Sequence, residues 1–351
     1  MNKKSVVIGM SGGVDSSVGA ALLQRQGYDV VGVTMKLWNE ETIKEGCSSF
    51  SVAIDAKKVA DNLGITHFVI DYQKQFKQKV VDYFISEYKH GKTPNPCVVC
   101  NKYIKFNALL EKANEIGADY IATGHYAKIT YKNGRYLLER PEDRKKDQTY
   151  FLYNMTQEQL SRTIFPLYGV TKEETRKIAE EIGLEVFDKP DSQDICFIHD
   201  GKYADFIEKK EGKMPEGNFV DINGNILGKH KGIINYTIGQ RKGLGIALNV
   251  PMYVVKIDYK TNNIVLAADG NQMKDSLYAH NINLISVDKL DSSFKCTAKI
   301  RYNSPDVPCE IFAVDDGFKA VFDSPQKSIT PGQMVVLYDN NIVIGGGIIS
   351  V

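Results

Sequence analysis

The chain has 351 residues, 43% of them hydrophobic and 25% charged, so it is long enough for two or three domains rather than one hydrophobic core. A formal net charge of +1 neither supports nor excludes a nucleic-acid partner, because phosphate binding depends on a local basic patch. No apolar run approaches the ~20 residues of a membrane span, and residues 1–4 lead directly into a strand pattern without a signal-peptide core. We therefore expect a cytoplasmic protein with no membrane partner.

Between residue 5 and about residue 123, short β-branched runs alternate with longer stretches of helical periodicity. The strand patterns cover 5–8, 29–35, 66–71 and 120–123. Gly27, Gly64 and Gly117 stand where a glycine ends a helix in the left-handed conformation. Strands separated by helices imply a parallel sheet covered on both faces, so the predicted fold class is α/β.

The segment 9–17, GMSGGVDSS, joins the first strand to a helix. The adjacent Gly12 and Gly13 allow a sharp turn and let backbone N–H groups approach a ligand closely. Ser16 and Ser17 place hydroxyls at a helix N-terminus, where the helix dipole favours an anion. We therefore predict a phosphate site. It is not a Walker P-loop, because no lysine follows the glycines.

Other segments are expected to reach the same place. Ligands of parallel sheets bind beyond the carboxyl ends of the strands. That edge receives the segment 9–17 after the first strand, Met35 after the second, and Gly124 with His125 after a later one. Three segments that are distant in sequence are therefore predicted to converge on one ligand.

The rest of the chain changes pattern twice. Residues 127–138 predict a hairpin around Asn133-Gly134, and Thr171–Glu174 is a capping box that opens a helix. After Cys196, short strands and glycine turns over 219–227 and 233–246 predict a small central module.

From about residue 278, alternating segments parted by polar turns predict a small C-terminal β-barrel. These segments are 296–302, 310–314, 318–323, 334–339 and 342–349. We place the domains at 1–200, 201–270 and 271–351.

The run SGGVDSS (11–17) resembles the PP-loop of the ATP pyrophosphatases, which split ATP between the α and β phosphates and adenylate a substrate oxygen. The resemblance implies an adenine nucleotide α-hydrolase-like domain at residues 1–200, with ATP and Mg²⁺ as cofactors. It assigns the nucleotide to Gly9, Met10, Ser11, Gly12, Gly13, Val14, Asp15, Ser16, Met35 and Gly124. Two roles stay open for Asp15, which are orienting Mg²⁺ and holding the loop itself.

Six further motifs resemble the tRNA-specific 2-thiouridylases and span nearly the whole chain. They are TPNPCVVCNKYIKF (93–106), ATGHYA (122–127), KDQTYFL (146–152), DICFI (194–198), GQRKGLGI (239–246) and TPGQ (330–333). The resemblance implies an enzyme that adenylates the carbon-2 oxygen of the wobble uridine of tRNA. Sulfur then replaces that oxygen, with release of AMP and pyrophosphate. Residues 1–200 would carry the thiolase chemistry, and residues 201–270 would contact tRNA.

Three cysteines are candidate sulfur carriers: Cys97 and Cys100, on a predicted proline-rich loop, and Cys196, about a hundred residues later. In a reducing compartment a C-x-x-C pair is more often catalytic or metal-binding than structural. The resemblance implies that Cys196 carries a terminal persulfide sulfur. Cys100 would be the nucleophile that attacks this persulfide of Cys196. A Cys100–Cys196 disulfide would then remain to be reduced. The other cysteines, Cys47, Cys296 and Cys309, fit buried structural thiols.

Cys97 departs from the commoner family pattern, which has an aspartate acting as general acid or base at this position. A thiol does not simply replace an acid with a pKa near ~4. Cys97, Cys100 and Cys196 also resemble the iron–sulfur-dependent tRNA thiolases, in which three thiolates hold a [4Fe-4S] cluster. The sequence slightly favours the cluster, because a third thiolate in place of an acid makes chemical sense if thiolate itself is wanted there.

The resemblance also implies a set of tRNA contacts. Asn95, Pro96 and Cys97 would touch the target base, and the other contacts are His125, Lys146, Asp147, Gln148, Arg301, Tyr302 and Gln333. Two basic groups offer footings for phosphates: Arg140, Arg144, Lys145 and Lys146, and then Lys229, Lys231, Arg241 and Lys242. For either group alone, a solvated surface is the simpler interpretation.

Three hypotheses of function follow. The preferred one is an ATP-dependent tRNA sulfurtransferase that takes sulfur from a donor protein or from hydrosulfide. The second is another PP-loop ligase, such as an amide-forming synthetase, and the third is a non-catalytic RNA-binding or iron–sulfur protein that has kept the loop. The paired thiols favour the first over the second, and the intact SGGVDSS argues against the third.

Overall fold

The computed structural model describes residues 3–38, 49–188, 195–198, 201–248 and 250–350, so Cys47 and Asp194 lie outside the described residues. The chain is a mixed α/β protein with an N-terminal parallel sheet, a central β unit and a C-terminal barrel. The strands are β1 Ser5–Gly9, β2 Asp29–Lys36, β3 Thr66–Asp71, β4 Tyr120–Thr123, β5 Lys128–Lys132, β6 Arg135–Glu139, β7 Thr163–Ile164, β8 Gly217–Val220, β9 Ile226–His230, β10 Met252–Asp258, β11 Asn263–Ala268, β12 Met273–Leu284, β13 Phe294–Lys299, β14 Val307–Val314, β15 Gly317–Lys327, β16 Met334–Asp339 and β17 Ile342–Ser350. The helices are α1 Val14–Arg25, α2 Ser49–Leu63, α3 Gln73–Phe76, α4 Asp82–Lys89, α5 Pro96–Cys100, α6 Phe106–Ile116, α7 Thr149–Leu152, α8 Gln157–Ser161, α9 Lys172–Glu181 and α10 Tyr203–Glu211.

The N-terminal sheet has the strand order β3-β2-β1-β4-β7, and every neighbouring pair is parallel. The predicted α/β class and the first four predicted strands are confirmed. Residues 6–8 of β1 are fully buried, as expected for a central strand with helices on both faces. The chain runs from β1 outward to β3 on one side and places β4 on the other, which opens a crevice at the carboxyl ends of β1 and β4.

Helix α9 begins at the predicted capping box. The Thr171 N–H donates to Glu174 Oε2 at 2.7 Å, and the Glu174 N–H donates to Thr171 Oγ1 at 3.2 Å. Gly183 follows the helix with φ +70, as predicted for a glycine that ends it. The helix packs against α1, so its first turn lies beside the phosphate-loop candidate.

The central unit is a four-stranded sheet in the order β10-β11-β8-β9. β8 and β9 form the predicted hairpin, and Asp221 Oδ1 accepts hydrogen bonds from the N–H groups of Asn223 and Asn225 in its turn. The prediction of strand at 233–246 was wrong. A short 3₁₀ helix at Ile233–Asn235 and a series of turns occupy this stretch.

Glycines explain that difference. Gly239, Gly243 and Gly245 all have positive φ, which repeatedly turns the backbone and interrupts a strand ladder. The third and fourth strands of the sheet come instead from the hairpin of β10 and β11, which the sequence pattern did not single out.

The C-terminal barrel has six strands in the order β12-β15-β14-β13-β16-β17, closed by the pairing of β12 with β17. The predicted barrel is therefore confirmed, and β12 adds a strand that begins at Met273, before the predicted start. Cys296 and Cys309 lie opposite each other on β13 and β14 with their sulfurs 3.7 Å apart, consistent with structural thiols.

The predicted hairpin at 127–138 is confirmed as β5 and β6, but it also extends the barrel sheet. Ile342 of β17 pairs with Glu139 of β6, so the N-terminal and C-terminal parts of the chain share one eight-stranded sheet. The division at 1–200, 201–270 and 271–351 stays a prediction. Within the described ranges, none of the helices combines the length and the apolar character needed to cross a membrane.

Candidate active site

The segment 9–17 lies at the carboxyl end of β1 and leads into α1. Gly12 has φ +63, and a Cβ there would lie 2.9 Å from the Val52 carbonyl oxygen and 3.0 Å from Asp55 Cβ. Left-handed backbone and close backbone contact together leave room for glycine only. The loop is thus held against α2, which was not apparent from the sequence.

Two serines close the loop on itself. Ser16 Oγ accepts a hydrogen bond from the Ser11 N–H at 3.1 Å and lies 3.1 Å from the Gly13 carbonyl oxygen. Ser17 Oγ donates to the same carbonyl at 2.9 Å. The first N–H groups of α1 have no acceptor within the helix, so the loop offers the donors that a phosphate requires.

Asp15 is held by groups from distant parts of the chain. Lys172 Nζ donates to Asp15 Oδ1 at 2.6 Å, and the Tyr126 hydroxyl donates to the same oxygen at 2.9 Å. The Tyr126 hydroxyl also lies 3.0 Å from Thr175 Oγ1 on α9. Of the two roles left open for Asp15, this arrangement favours holding the loop, because one oxygen already accepts two hydrogen bonds.

Lys172 is a site residue that the sequence reasoning missed. It is the first residue of α9, and its side chain is only 12% exposed beside a loop that lacks a P-loop lysine of its own. The capping box fixed the start of α9, so the first helical position was visible in the sequence. What the sequence did not show is that α9 packs against α1.

Met10 and Val14 point into the core, with 3% and 4% of their surface exposed. The Met10 N–H donates to the Val33 carbonyl at 2.8 Å, so this N–H is already bonded to β2. These two residues therefore offer a nucleotide no side chain. Met35 is partly buried near the end of β2, and a Cβ on Gly9 would lie 3.8 Å from its Cε, so the Met35 side chain packs beside the end of β1.

Gly124 brings the end of β4 against the start of α1. A Cβ on Gly124 would lie 2.7 Å from the Ser16 nitrogen and 2.8 Å from the Asp15 carbonyl carbon. Since real Cβ contacts are longer, this close approach of two backbones requires glycine. The predicted convergence of β1 and β4 ends is therefore confirmed by contact.

His125 follows Gly124 and links the nucleotide crevice to the cysteine segment. Its Nδ1 lies 2.7 Å from Thr123 Oγ1, and its ring stacks on Phe106 at 6.2 Å with 25° between the planes. Burial, with a smaller effect from Lys105, lowers the pKa of His125 well below its ordinary value. The imidazole is therefore neutral at neutral pH.

Cys97 and Cys100 lie on α5, whereas the proline-rich sequence predicted a loop. Pro96 fits the first helical position because its fixed φ is already helical and it needs no N–H acceptor there. Asn95 Oδ1 caps the helix by accepting from the Cys97 and Val98 N–H groups at 3.2 and 3.3 Å. A π-helical segment, Asn101–Lys105, continues α5 into α6.

The three candidate cysteines share one electrostatic environment. Burial raises the pKa of the Cys100 thiol to about 11. Cys97 and Cys196 are solvent-accessible, and the protein around them still raises the pKa of each. Cys100 and Cys97 raise the pKa of Cys196 further, whereas Lys105 lowers the pKa of all three thiols.

Lys105 was also missed. It is the last residue of the π-helical segment that begins directly after Cys100, and a π-helical turn aligns residues five apart. Next to it, Phe106 makes the stacking contact with His125. Lys105 therefore lies between the thiols and the His125 end of the nucleotide crevice, and it lowers the pKa of both thiol and imidazole groups.

Aromatic packing fixes the position of Cys196. The neighbouring Phe197 makes edge contacts with Phe76 at 5.7 Å and Phe84 at 5.4 Å. Phe197 and Cys100 belong to one buried cluster. The segment that carries Cys196 is thereby folded back onto the region of α5, as the sulfur chemistry requires.

The described residues do not fit an iron–sulfur cluster. Among them, no group of three His, Cys, Asp or Glu side chains is placed to hold a metal ion, although Cys97, Cys100 and Cys196 are all described. The slight preference for a cluster in the sequence analysis is therefore not supported by this geometry. The thiols share an electrostatic environment without forming a ligand set.

The predicted contact run 146–148 is divided in the structure. Asp147 is only 7% exposed, and its Oδ1 accepts from the Thr149 N–H at 2.9 Å and from Thr149 Oγ1 at 2.6 Å. Gln148 Oε1 accepts from the Tyr126 N–H at 2.9 Å. Lys146 is partly exposed. Two of the three side chains therefore support the fold from within.

The predicted contacts of the barrel lie near the cysteine segment. Arg301 is exposed, and Tyr302 packs on Phe151 with 4.4 Å between ring centroids. Gln333 uses its side-chain amide, donating from Nε2 to the Thr93 carbonyl at 2.8 Å. Thr93 lies just before Asn95 in the chain.

Arg140 does not belong to the exposed basic group in which the sequence placed it. It is 11% exposed, forms two hydrogen bonds to Asp306 at 2.7 and 2.8 Å, and stacks over Tyr338 at 3.9 Å. Its Nε also lies 3.5 Å from Asp147. The other members of the two groups are partly or fully exposed: Arg144, Lys145, Lys146, Lys229, Lys231, Arg241 and Lys242.

Family profiles match three successive parts of the chain. They are described as a tRNA methyl transferase HUP domain over residues 4–200, a tRNA methyl transferase PRC-barrel domain over 204–268, and an aminomethyltransferase β-barrel domain over 274–349. The first profile alone covers more than half of the chain.

Curated relatives match the full length. A tRNA-specific 2-thiouridylase of Clostridioides difficile (strain 630) is 54% identical over 99% of this chain and 98% of its own length. The corresponding protein of Acetivibrio thermocellus is 52% identical over 99% of this chain and 100% of its own length. A solved 4-thiouridine synthetase–RNA complex with bound ATP aligns at 20% identity over 55% of this chain and 45% of that chain, with a TM-score of 0.39, which is too low to carry an argument.

Proposed function

Because this chain belongs to the family of tRNA-specific 2-thiouridylases, we propose that it adenylates the carbon-2 oxygen of the wobble uridine of tRNA and replaces that oxygen with sulfur. The chain is an ATP-dependent tRNA sulfurtransferase of that family. The observation that carries the proposed chemistry is one connected site. A phosphate-type loop at the β1–β4 crevice is joined, through the His125–Phe106 contact, to α6, which the π-helical segment 101–105 connects to the helix of Cys100.

The adenylation step needs a grip on the pyrophosphate that leaves. We assign that grip to the segment 9–17, whose glycines and helix N-terminus supply backbone donors. Lys172 adds a cation next to it, held by Asp15 at 2.6 Å. Mg²⁺ would be brought by the nucleotide and would neutralise charge on the leaving pyrophosphate, whereas Asp15 is assigned to holding the loop, since its Oδ1 already accepts from Lys172 and Tyr126.

The sulfur step uses Cys100 and Cys196. Cys196 carries the persulfide, and its terminal sulfur attacks carbon 2 of the adenylated uridine. The Cys100 thiolate attacks Cys196 Sγ, the bond between the two persulfide sulfurs breaks, and AMP leaves with the original oxygen. Both cysteines end in a disulfide, which an external thiol reductant must reduce before the next turnover.

Proton removal from Cys100 is the demanding part of that step. Burial holds the pKa of Cys100 near 11, so little thiolate is present at neutral pH. Lys105, at the end of the π-helical segment that follows Cys100, lowers the pKa. Neutral His125 keeps one ring nitrogen as an acceptor, but its Nδ1 contacts Thr123 at the end of β4, on the nucleotide side of the site.

Cys97 takes no part in the transfer in this proposal. Its thiol is exposed at the first turn of α5 and its pKa is raised, so it stays protonated and cannot replace the family's aspartate as a base at neutral pH. The cluster route is not proposed, because the three cysteines do not form a ligand set among the described residues.

We propose that tRNA lies across the cysteine segment and the exposed basic residues. Lys146, Arg301 and Tyr302 flank the site, while the exposed group Lys229, Lys231, Arg241 and Lys242 gives a salt-sensitive footing for phosphates. Asp147 and Gln148 act as supports of this surface. A donor protein that bears a persulfide reaches Cys196 because that side chain is exposed. Hydrosulfide would serve only by attacking Cys196 Sγ of the Cys100–Cys196 disulfide, which releases Cys100 as a thiolate and leaves the persulfide on Cys196.

The test is a complete reaction with purified protein, transcribed tRNA, ATP, Mg²⁺, a thiol reductant and a polysulfide, which supplies sulfur at the oxidation level of a persulfide. AMP and 2-thiouridine, measured by mass spectrometry of the nucleosides, are expected in equal amounts. Cys196→Ser and Cys100→Ser should abolish the thiolated nucleoside, whereas Cys296→Ala, a barrel thiol, should not. A Cys196→Ser protein that still thiolates tRNA would end the proposal.

The same reaction separates the other hypotheses. An amide-forming PP-loop ligase would release pyrophosphate without tRNA once its own small substrate and ammonia are supplied. A non-catalytic RNA-binding protein would bind tRNA without consuming ATP. Either result, with no 2-thiouridine formed, would contradict the assignment of the thiols.

A further inference from the structure

The barrel grips the chain just before the catalytic helix. The Thr93 N–H donates to the Pro331 carbonyl at 2.9 Å, and Gln333 Nε2 donates to the Thr93 carbonyl at 2.8 Å. Both backbone groups of Thr93 are therefore used by one turn of the barrel, residues 330–333. That turn and α5 are about 240 residues apart in sequence.

The contact is tight on the barrel side. Gly332 has φ +88, and a Cβ there would lie 3.0 Å from Lys92 Cβ and 3.1 Å from the Thr93 nitrogen. The turn itself is anchored to β17, since the Gly332 N–H donates to the Ile349 carbonyl at 3.1 Å and the Ile349 N–H donates to the Gln333 carbonyl at 2.8 Å. A rigid strand end therefore holds Thr93.

The path from Thr93 to the thiols is short and stiff. Pro94 and Pro96 fix two of the next three φ angles, which leaves little freedom between Thr93 and α5. Between the prolines, Asn95 caps α5 at 3.2 and 3.3 Å. A displacement of Thr93 therefore also moves α5 and Cys100, because the segment between them has little freedom to bend.

We propose that Gln333 is a positioning residue, which holds Thr93 so that α5 presents Cys100 at the distance and angle needed for attack on Cys196. The inference rests on the proposed sulfur transfer. The role proposed for Gln333 differs from the tRNA contact that the sequence resemblance implies. The side-chain amide that would contact tRNA already donates to the Thr93 carbonyl. The barrel thereby becomes part of the catalytic apparatus.

Two variants separate the effect of the hydrogen bond to Thr93 from the effect of side-chain size. Gln333→Met keeps the length of the side chain and removes the donor, whereas Gln333→Glu opposes a carboxylate to the Thr93 carbonyl. A matched control is Gln326→Met, because Gln326 also lies in the barrel and its amide donates locally, to the Ser324 carbonyl at 2.7 Å and to Ser324 Oγ at 3.4 Å. Thermal melting of all three shows whether the barrel is intact.

The first readout follows sulfur transfer in a single turnover. Protein preloaded with persulfide on Cys196 is mixed with saturating tRNA and ATP. A misplacement near 1 Å costs about 100-fold in rate, so we expect Gln333→Met to lower transfer about 10-fold or more and Gln333→Glu to lower it further. Pyrophosphate release should change less than about twofold, since the grip on the phosphates is assigned to the segment 9–17, and saturating tRNA keeps any change in its Kd from affecting the transfer rate.

The second readout does not depend on the proposed function. Formation of the Cys100–Cys196 disulfide by a small disulfide oxidant, followed by mass spectrometry, reports the approach of the two thiols with no ATP or tRNA present. Slower disulfide formation in Gln333→Met, with Gln326→Met unchanged, supports the positioning role even if tRNA thiolation were to fail. Normal disulfide formation and normal transfer at saturating tRNA, with tRNA affinity alone reduced, would overturn it in favour of a direct tRNA contact.

Discussion

Replacing Gly124 with alanine is expected to block adenylation while the protein stays folded. The added Cβ would lie 2.7 Å from the Ser16 nitrogen, 2.8 Å from the Asp15 carbonyl carbon and 3.0 Å from the Asp15 carbonyl oxygen. Ordinary contact between such atoms begins near ~3.5 Å, so the end of β4 and the start of α1 must separate by roughly 0.8 Å. All three neighbours are backbone atoms, so no side chain can turn aside to relieve the contact.

The size of the effect follows from that separation. Overpacking of this kind costs about 1–3 kcal/mol of folding free energy, which a protein with a large core tolerates. A shift near 1 Å in a group that positions substrate costs about 100-fold in rate. Pyrophosphate release in the presence of tRNA should therefore fall by about two orders of magnitude, while thermal melting shows a modest decrease.

Gly169 provides the matched control, because it is exposed, has no positive φ and would place its Cβ in open space. Gly169→Ala should keep both the melting temperature and the rate of pyrophosphate release. If Gly124→Ala released pyrophosphate at the wild-type rate, the close approach of β4 to α1 would not position the nucleotide, and the site would have to be placed elsewhere.

Three further predictions concern single groups. Because the pKa of Cys100 is raised to about 11, its rate of alkylation by iodoacetamide should rise about tenfold per pH unit from pH 7 to 10, and a flat profile would show that the thiol is already ionised. Lys172→Met should slow pyrophosphate release about 10-fold or more by removing a charge-assisted hydrogen bond, with partial recovery in Lys172→Arg and no effect of Lys177→Met on the exposed face of α9. Arg140→Met should lower the free energy of unfolding by about 3 kcal/mol in urea titration, because it leaves the buried Asp147 carboxylate without its cation, and an unchanged midpoint would mean that the pair contributes nothing.

Several features of this protein could be predicted because they depend on neighbours in sequence. The segment 9–17 required a strand, two glycines and a helix start, and each of these is set within a few residues. The glycines that end helices and the capping box at 171–174 are local in the same sense. Two local predictions were wrong: Pro96 starts α5 where a loop was expected, and the glycines of 233–246 interrupt the strand predicted there.

The partners of polar side chains were decided by the tertiary structure. Arg140 was predicted to offer a footing for phosphates as part of a basic group, and the family resemblance implied that Asp147 contacts tRNA. In the structure both side chains are buried, and Arg140 contacts Asp147 and Asp306. A sequence shows that a charge is present, but its solvent exposure depends on which distant element packs over it. The pairing of β6 with β17 places the barrel over this particular run.

The sequence alone determined which chemical groups the protein has available: a phosphate-binding turn, a nucleophilic thiol and a second thiol about a hundred residues later. Their relation in space is a property of the folded chain. Lys172 reaches Asp15 because α9 packs on α1. Cys100 raises the pKa of Cys196 because Phe197, next to Cys196, packs into an aromatic cluster. Local periodicity carries no information on contacts of this range, because burial of an apolar face specifies that a helix packs but not against which partner.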